Sequence, residues 1–335
     1  MKLSKTLNKR LYQMLEDDTS ILLLGEDIVE PYGGAFKITK GLSEKFPDRV
    51  IGTPMSEQGF LGMSIGMALR GLKPIVEIMY GDFLTLCGDQ LINHASKFVD
   101  IYGRDVPITV RLPVGGYRGY GATHSQSIEK LFFGIPNIDV VALSILDSGA
   151  SSLQKSVNKG NPTLYIENKI DYTRDEFDES KWNKKFIKQS VLTEGEFCTY
   201  NLSLVDQNTD SLDTLIVTYG GMVSLALEAS WKVFIEEEIA VEIIVPELIS
   251  PLEDRFISYL GSKLQVAERL VVLEEGWGEF GWGSGLVSHL AESGFLKGKI
   301  IKRVASYCQN IGAGHEYENS VLPTLSRLEN AMYIR

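Results

Sequence analysis

Three side chains stand where chemistry could be done: Glu57, Phe83 and His124. Glu57 follows Ser56, a residue type suited to an N-cap, and opens an apolar run containing Gly59, Gly62 and Gly66. Phe60, Leu61, Met63, Ile65, Met67, Ala68 and Leu69 make the helix apolar nearly all round, so it is expected to be buried on every side. The three glycines share one face, which suggests close approach of another backbone. A carboxylate at the mouth of such a helix is expected to be desolvated, which raises its pKa or demands a partner. Taken alone, the segment favours a plainer role, that of an acid set against the helix dipole. Phe83, in Tyr80-Gly81-Asp82-Phe83, is either core or a platform for a flat ring. His124 lies in the glycine-rich run that begins at Gly115, where an imidazole can exchange protons near neutral pH or be merely solvated.

The elements needed to position these residues are legible as a repeating grammar. An amphipathic helix over 3–17 precedes an apolar strand at Ile21–Leu24. Strands follow at 74–79, 108–113, 140–144 and 163–167, with a helix read over roughly 84–100. Alternating strands and helices predict an α/β domain with a mostly parallel sheet. In such sheets, loops at the carboxyl ends of strands line the ligand crevice, and Phe83 and His124 both fall on loops of this kind. A highly charged stretch follows, and then a second α/β unit with strands at 215–220, 240–245, 269–274 and 299–305 and helices at 222–238 and 283–293. The expected division is 1–180, a linker over 181–200, and 201–335.

Composition narrows the class. The chain of 335 residues is long enough for about two domains, and 44% hydrophobic with 23% charged residues is ordinary for a globular protein. A net charge of -11 leaves no electrostatic footprint for nucleic acid. The cluster Lys181, Lys184, Lys185 and Lys188 reads as a solvated linker face. No apolar run is long enough for a membrane helix, and the first residues lack the apolar core of a secretory signal. Cys87, Cys198 and Cys308 form no metal or disulfide pattern, so buried, reduced thiols in a cytoplasmic protein are expected.

Gly276, Gly278 and Gly281 spell G-x-G-x-x-G between a strand and a helix. The next strand ends Ala305-Ser306-Tyr307-Cys308, without the acid that would hold a ribose, so nicotinamide binding is not expected.

The strings LLLGEDI, GGAFKITKGL, KFPDRVIGTPMSEQGFLGMSIGMALRG, KPIVEIMYGDF, DQLINHASK, VPITVRLPVGG and HSQSIEKLFFGIPNIDVV resemble the beta subunit of 2-oxoacid dehydrogenase E1 components (pyruvate, branched-chain and acetoin types). VTYGGMVSLALEA and RLVVLEEG are similar to that family's transketolase-type C-terminal domain. The resemblance covers nearly the whole chain. It implies a thiamine-pyrimidine-binding domain followed by a transketolase-type α/β domain. Thiamine diphosphate would be shared with an alpha subunit that holds Mg²⁺, since no Gly-Asp-Gly occurs here. An α2β2 assembly with a beta–beta contact, a small 2-oxoacid substrate and a lipoyl E2 acceptor are implied as well. By the same resemblance Glu57 engages N1′ of the aminopyrimidine, Phe83 packs on that ring, and His124 assists proton transfer or acyl handling.

Two departures stand out. The family's K⁺ ligands would fall on Ile108, Ser156, Lys159 and Asn161, but Lys159 stands where the pattern has Asp, so an ammonium could take the cation's place and no K⁺ is expected. The segment Tyr307 to Pro323 lacks the usual Asp-x-Pro-x-Pro, and His315 within it reads as a surface or interface residue. The expected reaction is decarboxylation of a 2-oxoacid with acyl transfer to a lipoyl group. A thiamine-dependent transferase without a lipoyl E2, and a non-catalytic paralogue, are the alternatives.

Overall fold

The computed structural model describes residues 1–178, 182, 185–195, 197–205 and 212–333. The first sheet is built from β1 (Ile21–Gly25), β2 (Val50–Gly52), β3 (Lys73–Glu77), β4 (Thr109–Val114), β5 (Asp139–Ala142) and β6 (Thr163–Asn168), all parallel. A short strand from much later in the chain, Leu248–Ser250, returns to pair antiparallel with β5 and closes that edge. β1, β4, β5 and β6 are buried throughout, as expected for parallel strands covered on both faces.

The second sheet contains β7 (Phe186–Val191), β8 (Thr199–Leu204), β9 (Leu212–Thr218), β10 (Val241–Pro246), β12 (Ala267–Trp277) and β13 (Ile300–Ser306), the return strand being β11. β7 and β8 are antiparallel additions on one edge. Much of the stretch read as a linker over 181–200 is therefore strand. The two described lysines of that cluster do not lie on a solvated face: Lys185 lies over the rings of Trp182 and Trp231, and Lys188 lies over Phe177 and Tyr200 while donating to the Leu146 carbonyl at 2.9 Å. Lys181 and Lys184 lie outside the described residues.

The helices are α1 (Leu3–Asp17), α2 (Leu42–Lys45), α3 (Glu57–Leu69), α4 (Phe98–Tyr102), α5 (Ser151–Asn158), α6 (Met222–Glu237), α7 (Asp254–Val266), α8 (Trp282–Glu292), α9 (His315–Val321) and α10 (Leu325–Met332). α1 buries Leu3, Leu7, Leu11, Met14 and Leu15, the stripe its periodicity predicts. The helix expected over 84–100 is instead three short pieces: a 3-10 turn at Gly81–Cys87, a wide π turn at Gln90–Ala95, and α4. One continuous apolar core runs through both sheets, from Phe60 and Leu91 to Leu215 and Trp282. Among the described residues, no helix is long and apolar enough to cross a membrane.

α3 departs from expectation in an informative way. Phe60, Leu61, Ser64, Ile65 and Ala68 are buried, but Gly59, Met63 (45% exposed) and Gly66 face outward. Met55 before the helix is 89% exposed, and Leu86 and Ile92 are also exposed on the neighbouring turns. Among the described residues, nothing covers this apolar glycine face. A Cβ placed on Gly66 would meet nothing within 4 Å.

Candidate active site

Each candidate residue sits where the fold turns out of the first sheet. Ser56 occupies the N-cap position of α3 in extended backbone, but its side chain makes no capping bond. Glu57 begins α3 and remains partly exposed rather than fully desolvated. Its charge reaches two neighbours. Burial is the main cause that pushes Glu26 above the carboxylate range, with Glu57 adding to it. Burial likewise drives the Cys87 thiol to about 12, again with help from Glu57. Cys87 is the buried cysteine; Cys198 is partly buried and Cys308 exposed, so the expectation of three buried thiols fails.

Phe83 and His124 meet edge to face, with ring centroids 5.5 Å apart. Tyr80 joins them, 4.5 Å from the His124 ring and 6.0 Å from Phe83. Phe36 and Tyr120 extend the cluster, at 5.8 and 6.2 Å from Tyr80. Such edge-to-face pairs each add roughly 1 kcal/mol beyond burial, so the cluster holds the imidazole at a defined angle. The Thr123 hydroxyl and His124 Nδ1 are 2.9 Å apart, and Nε2 has no hydrogen-bond partner among the described residues.

A buried ionic frame lies under these rings. Arg111 donates to Glu167 Oε1 and Oε2 at 2.6 and 2.7 Å and to Glu77 Oε2 at 2.5 Å. The Tyr172 hydroxyl donates to Glu167 Oε2 at 2.7 Å, and its ring lies 5.1 Å from Phe36. The last residue of β3 and the penultimate residue of β6 are thus tied to the middle of β4.

The loop carrying His124 is held by the far end of the chain. Glu318, fully buried on α9, accepts from Ser125 Oγ at 2.7 Å and from the Gly119 amide at 2.8 Å. The Gly314 amide donates to the Gly119 carbonyl at 3.1 Å, and the Tyr117 hydroxyl to the Pro323 carbonyl at 2.7 Å. Gly119 has φ +75, a backbone conformation that L side chains rarely adopt, and packs against Gly314 at 3.4 Å. The unusual segment Tyr307 to Pro323 is therefore the clasp of the His124 loop. His315 is exposed at the start of α9.

A second set of buried charges joins the two sheets. Glu275 Oε1 accepts from the Gly116 amide and Oε2 from Asn168 Nδ2, both at 2.6 Å. Lys169, also fully buried, donates to the Pro113 carbonyl at 3.3 Å and lies 5.8 Å from the Tyr80 ring. Burial pushes Glu275 up and Lys169 down, and Asp82 and Glu275 act against the fall of Lys169. Asp82 Oδ1 accepts from the backbone amide and side-chain amide of Gln126, while its buried Oδ2 has no partner. Of these residues, Asp82 adjoins a motif the sequence already marked. Glu318 and Lys169 carry no local signal, because their partners are distant in the chain.

The glycine motif at Gly276 is disposed of by its own surroundings. Glu274 Oε1 accepts from the Gly283 amide at 3.0 Å, and a Cβ on Gly281 would strike the Glu274 carboxylate at 2.6 Å. The start of α8, where a dinucleotide phosphate would sit, is thus filled by the chain's own acid.

At the expected K⁺ position, the Lys159 ammonium pairs with buried Asp139 at 2.7 Å. The Ile108 carbonyl is committed to the Thr163 amide at 2.9 Å, and the Ser156 and Asn161 carbonyls accept from the Lys159 amide and the Thr163 hydroxyl at 3.4 Å. Among the described residues, no three His, Cys, Asp or Glu side chains are grouped as metal ligands. Clefts of about 810 and 580 Å³ lie elsewhere, around Arg174 and Trp182 and around Phe133 and Trp282, and hold none of Glu57, Phe83 or His124. Phe36, Tyr80, Phe83 and His124 are partly buried, and Tyr120 is exposed.

The two α/β units, each matched by its own family model, place the chain in the transketolase class. Residues 1–174 match the transketolase pyrimidine binding domain, and residues 205–328 the transketolase C-terminal domain. A pyruvate dehydrogenase E1 component subunit beta from Rickettsia bellii is 33% identical, over 84% of this chain and 82% of its own length. The beta subunit of acetoin:2,6-dichlorophenolindophenol oxidoreductase from Bacillus subtilis is 29% identical, over 98% of this chain and 95% of its own. The chain belongs to this family and is an E1 beta-type subunit. A split-gene transketolase, described as an inactive β4 tetramer, shares the fold at TM-score 0.71 and 17% identity, covering 98% of this chain and 95% of that one.

Proposed function

We propose that this subunit supplies the pyrimidine half of a thiamine diphosphate site and, with a separate alpha chain, decarboxylates a 2-oxoacid and passes the acyl group to a lipoyl acceptor. The observation that carries the reading is the placement of Glu57 at the start of α3, on the packing partner of the turn that bears Phe83, with Phe83 in ring contact with His124. A carboxylate, a partly exposed aromatic and an imidazole suit an aminopyrimidine: a hydrogen-bond partner for a ring nitrogen, a flat packing surface, and a proton carrier. When bound, the cofactor supplies the carbanion chemistry at its thiazolium.

The chain's own contributions follow from its geometry. Glu57 presents its carboxylate to the ring nitrogen and favours the protonated form there. Phe83 fixes the plane of the pyrimidine. His124, oriented by Tyr80 and Thr123, holds or delivers a proton through Nε2. The covering alpha chain excludes water from the open face. That face, with Met55, Gly59, Met63 and Gly66, fits a backbone packed closely against α3 in an α2β2 assembly. The inactive β4 state of the split-gene transketolase is in keeping with a beta chain that needs its partner. Mg²⁺ and the diphosphate would be held by the partner chain. Lys159 takes the place of K⁺. Cytoplasmic location belongs to the same reading.

A second acceptor is favoured by one observation. The segment Tyr307 to Pro323 is given over to clasping the His124 loop through Glu318, Gly314 and Pro323. This fits a thiamine-dependent transferase whose acceptor is not a lipoyl domain. The deciding experiment is co-expression with the candidate alpha chain, followed by 2-oxoacid oxidation with an artificial electron acceptor. Decarboxylation that requires both chains and added thiamine diphosphate supports the reading; turnover by the single chain, or without the cofactor, refutes it.

A further inference from the structure

We propose that Arg118 is the anion-recognition residue of this site, taking a carboxylate or phosphate that the substrate or the acyl acceptor carries away from the bond that breaks. The identity of the molecule bearing that anion rests on the thiamine reading above. The anion site itself does not.

Arg118 lies six residues before His124 in the same loop. Its guanidinium carbon is 5.7 Å from the Phe36 ring centroid, and its side chain is partly exposed. Among the described residues it takes part in no ion pair and no hydrogen bond, so its five N–H donors are uncommitted. This occurs in a chain of net charge -11, in which 44 acidic residues outnumber 33 basic ones. The backbone on either side of Arg118 is nevertheless fixed: the Tyr117 hydroxyl is bound to Pro323 and the Gly119 amide to Glu318. A cation whose backbone is clasped on both flanks and whose donors are free is preorganised for a ligand outside the chain.

The neighbourhood supports the same conclusion. Tyr80 feels the positive charge of Arg118, and Lys169 lies 5.8 Å from the same ring. Lys169 is buried, bound to Pro113, and countered by Asp82, Glu275 and Glu318. Arg118 is the member of this pair that can reach an incoming group. A planar guanidinium backed by an aromatic ring is the preferred partner for a carboxylate or phosphate.

The reacting carboxylate is a poor occupant. In decarboxylation the C1–C2 bond breaks, its electron pair stays on C2, and carbon dioxide leaves uncharged. A guanidinium paired with that carboxylate would stabilise the ground state more than the transition state and slow the step. The anion that suits Arg118 is one that survives the reaction: the second carboxylate of a dicarboxylic 2-oxoacid, or an anionic group on the acceptor.

The test uses the enzyme reconstituted with its alpha partner, as wild type, Arg118→Gln and Arg118→Lys. On the donor side, kcat/KM is compared for 2-oxoglutarate and 2-oxohexanoate. On the acceptor side, lipoate is compared with lipoamide. Succinate affinity is measured by calorimetry without turnover. In Arg118→Gln, succinate affinity and at least one anionic-to-neutral ratio should fall roughly tenfold or more, with partial retention in Arg118→Lys. The ratio that falls identifies donor or acceptor as the source of the anion. Equal loss for charged and neutral substrates, or unchanged ratios with unchanged succinate affinity, overturns the proposal. If no 2-oxoacid turns over yet succinate binding still depends on Arg118, the thiamine reading fails and the anion site stands.

Discussion

Glu318 and Ser125, 193 positions apart in sequence, meet at 2.7 Å and close the loop that carries His124. The carboxylate is fully buried, and its other oxygen takes the Gly119 amide at 2.8 Å. Glu318→Ala leaves the buried Ser125 hydroxyl and the partly buried Gly119 amide without their partner, at a cost of roughly 1–3 kcal/mol. The expected result is a lower unfolding midpoint and new trypsin cleavage after Arg118 at native temperature, read by peptide mass. A variant as resistant as wild type at Arg118 would show that the clasp does not hold the loop.

Glu57→Gln should lower turnover of the assembled enzyme by roughly 10²–10⁴-fold, the usual contribution of a positioned acid–base group. Assembly and melting temperature should be unchanged, because Glu57 is partly exposed and no capping bond is at stake. Full turnover in this variant would refute the role given to Glu57.

The open face of α3 can be tested at Gly66. Replacing it with Leu removes the helix penalty of glycine, worth up to about 1 kcal/mol, and a Cβ there meets nothing within 4 Å among the described residues. The isolated subunit should fold with equal or higher stability yet fail to form the hetero-oligomer by size-exclusion chromatography with light scattering. Normal assembly would place the partner elsewhere.

Stability should depend on pH through Glu274. Burial raises its pKa from 4.5 to about 7, with the Gly283 amide opposing the rise. The folded chain therefore holds a proton that the unfolded chain releases at lower pH. The stabilising preference for the protonated form is complete below about 4.5 and is lost as pH rises to about 7, a change on the order of 3 kcal/mol. Denaturant unfolding at several pH values should show this decline in wild type and a flatter profile in Glu274→Gln. Equal slopes in the two proteins would contradict it.

Lys159→Met leaves the buried Asp139 carboxylate without its ammonium and should cost about 3 kcal/mol. Wild-type melting should not distinguish KCl from NaCl. A clear rise specific to K⁺ would mean that the ammonium has not replaced the cation.

Much of the architecture could be read from local pattern. The strand β1 is a continuous apolar run, and α1 carries a clean stripe, because burial on one or both faces dictates those sequences. The 81–102 region was not legible in detail: its apolar content suits a helix, but packing beneath α3 breaks it into 3-10, π and α turns. Glu57, Phe83 and His124 were visible as candidates because each adjoins a strand end or a glycine run. The sequence did not reveal what holds them, since Arg111–Glu77, Ser125–Glu318 and Asn168–Glu275 join residues from different elements. It also overstated the burial of α3, because apolar character alone does not say whether the covering surface belongs to the same chain.

The return strand β11 bears on how the gene could be divided. It arises beyond the long charged connection yet completes the first sheet by covering β5, whose Asp139–Ala142 backbone is otherwise an edge. Bare edges of apolar strand recruit other chains. A fragment that stops ahead of Leu248 would carry every candidate catalytic side chain and still be poorly soluble, its unsealed margin pairing with copies of itself. Splitting this polypeptide into its two family domains would thus cut through a seam that the fold has sewn shut from the far side.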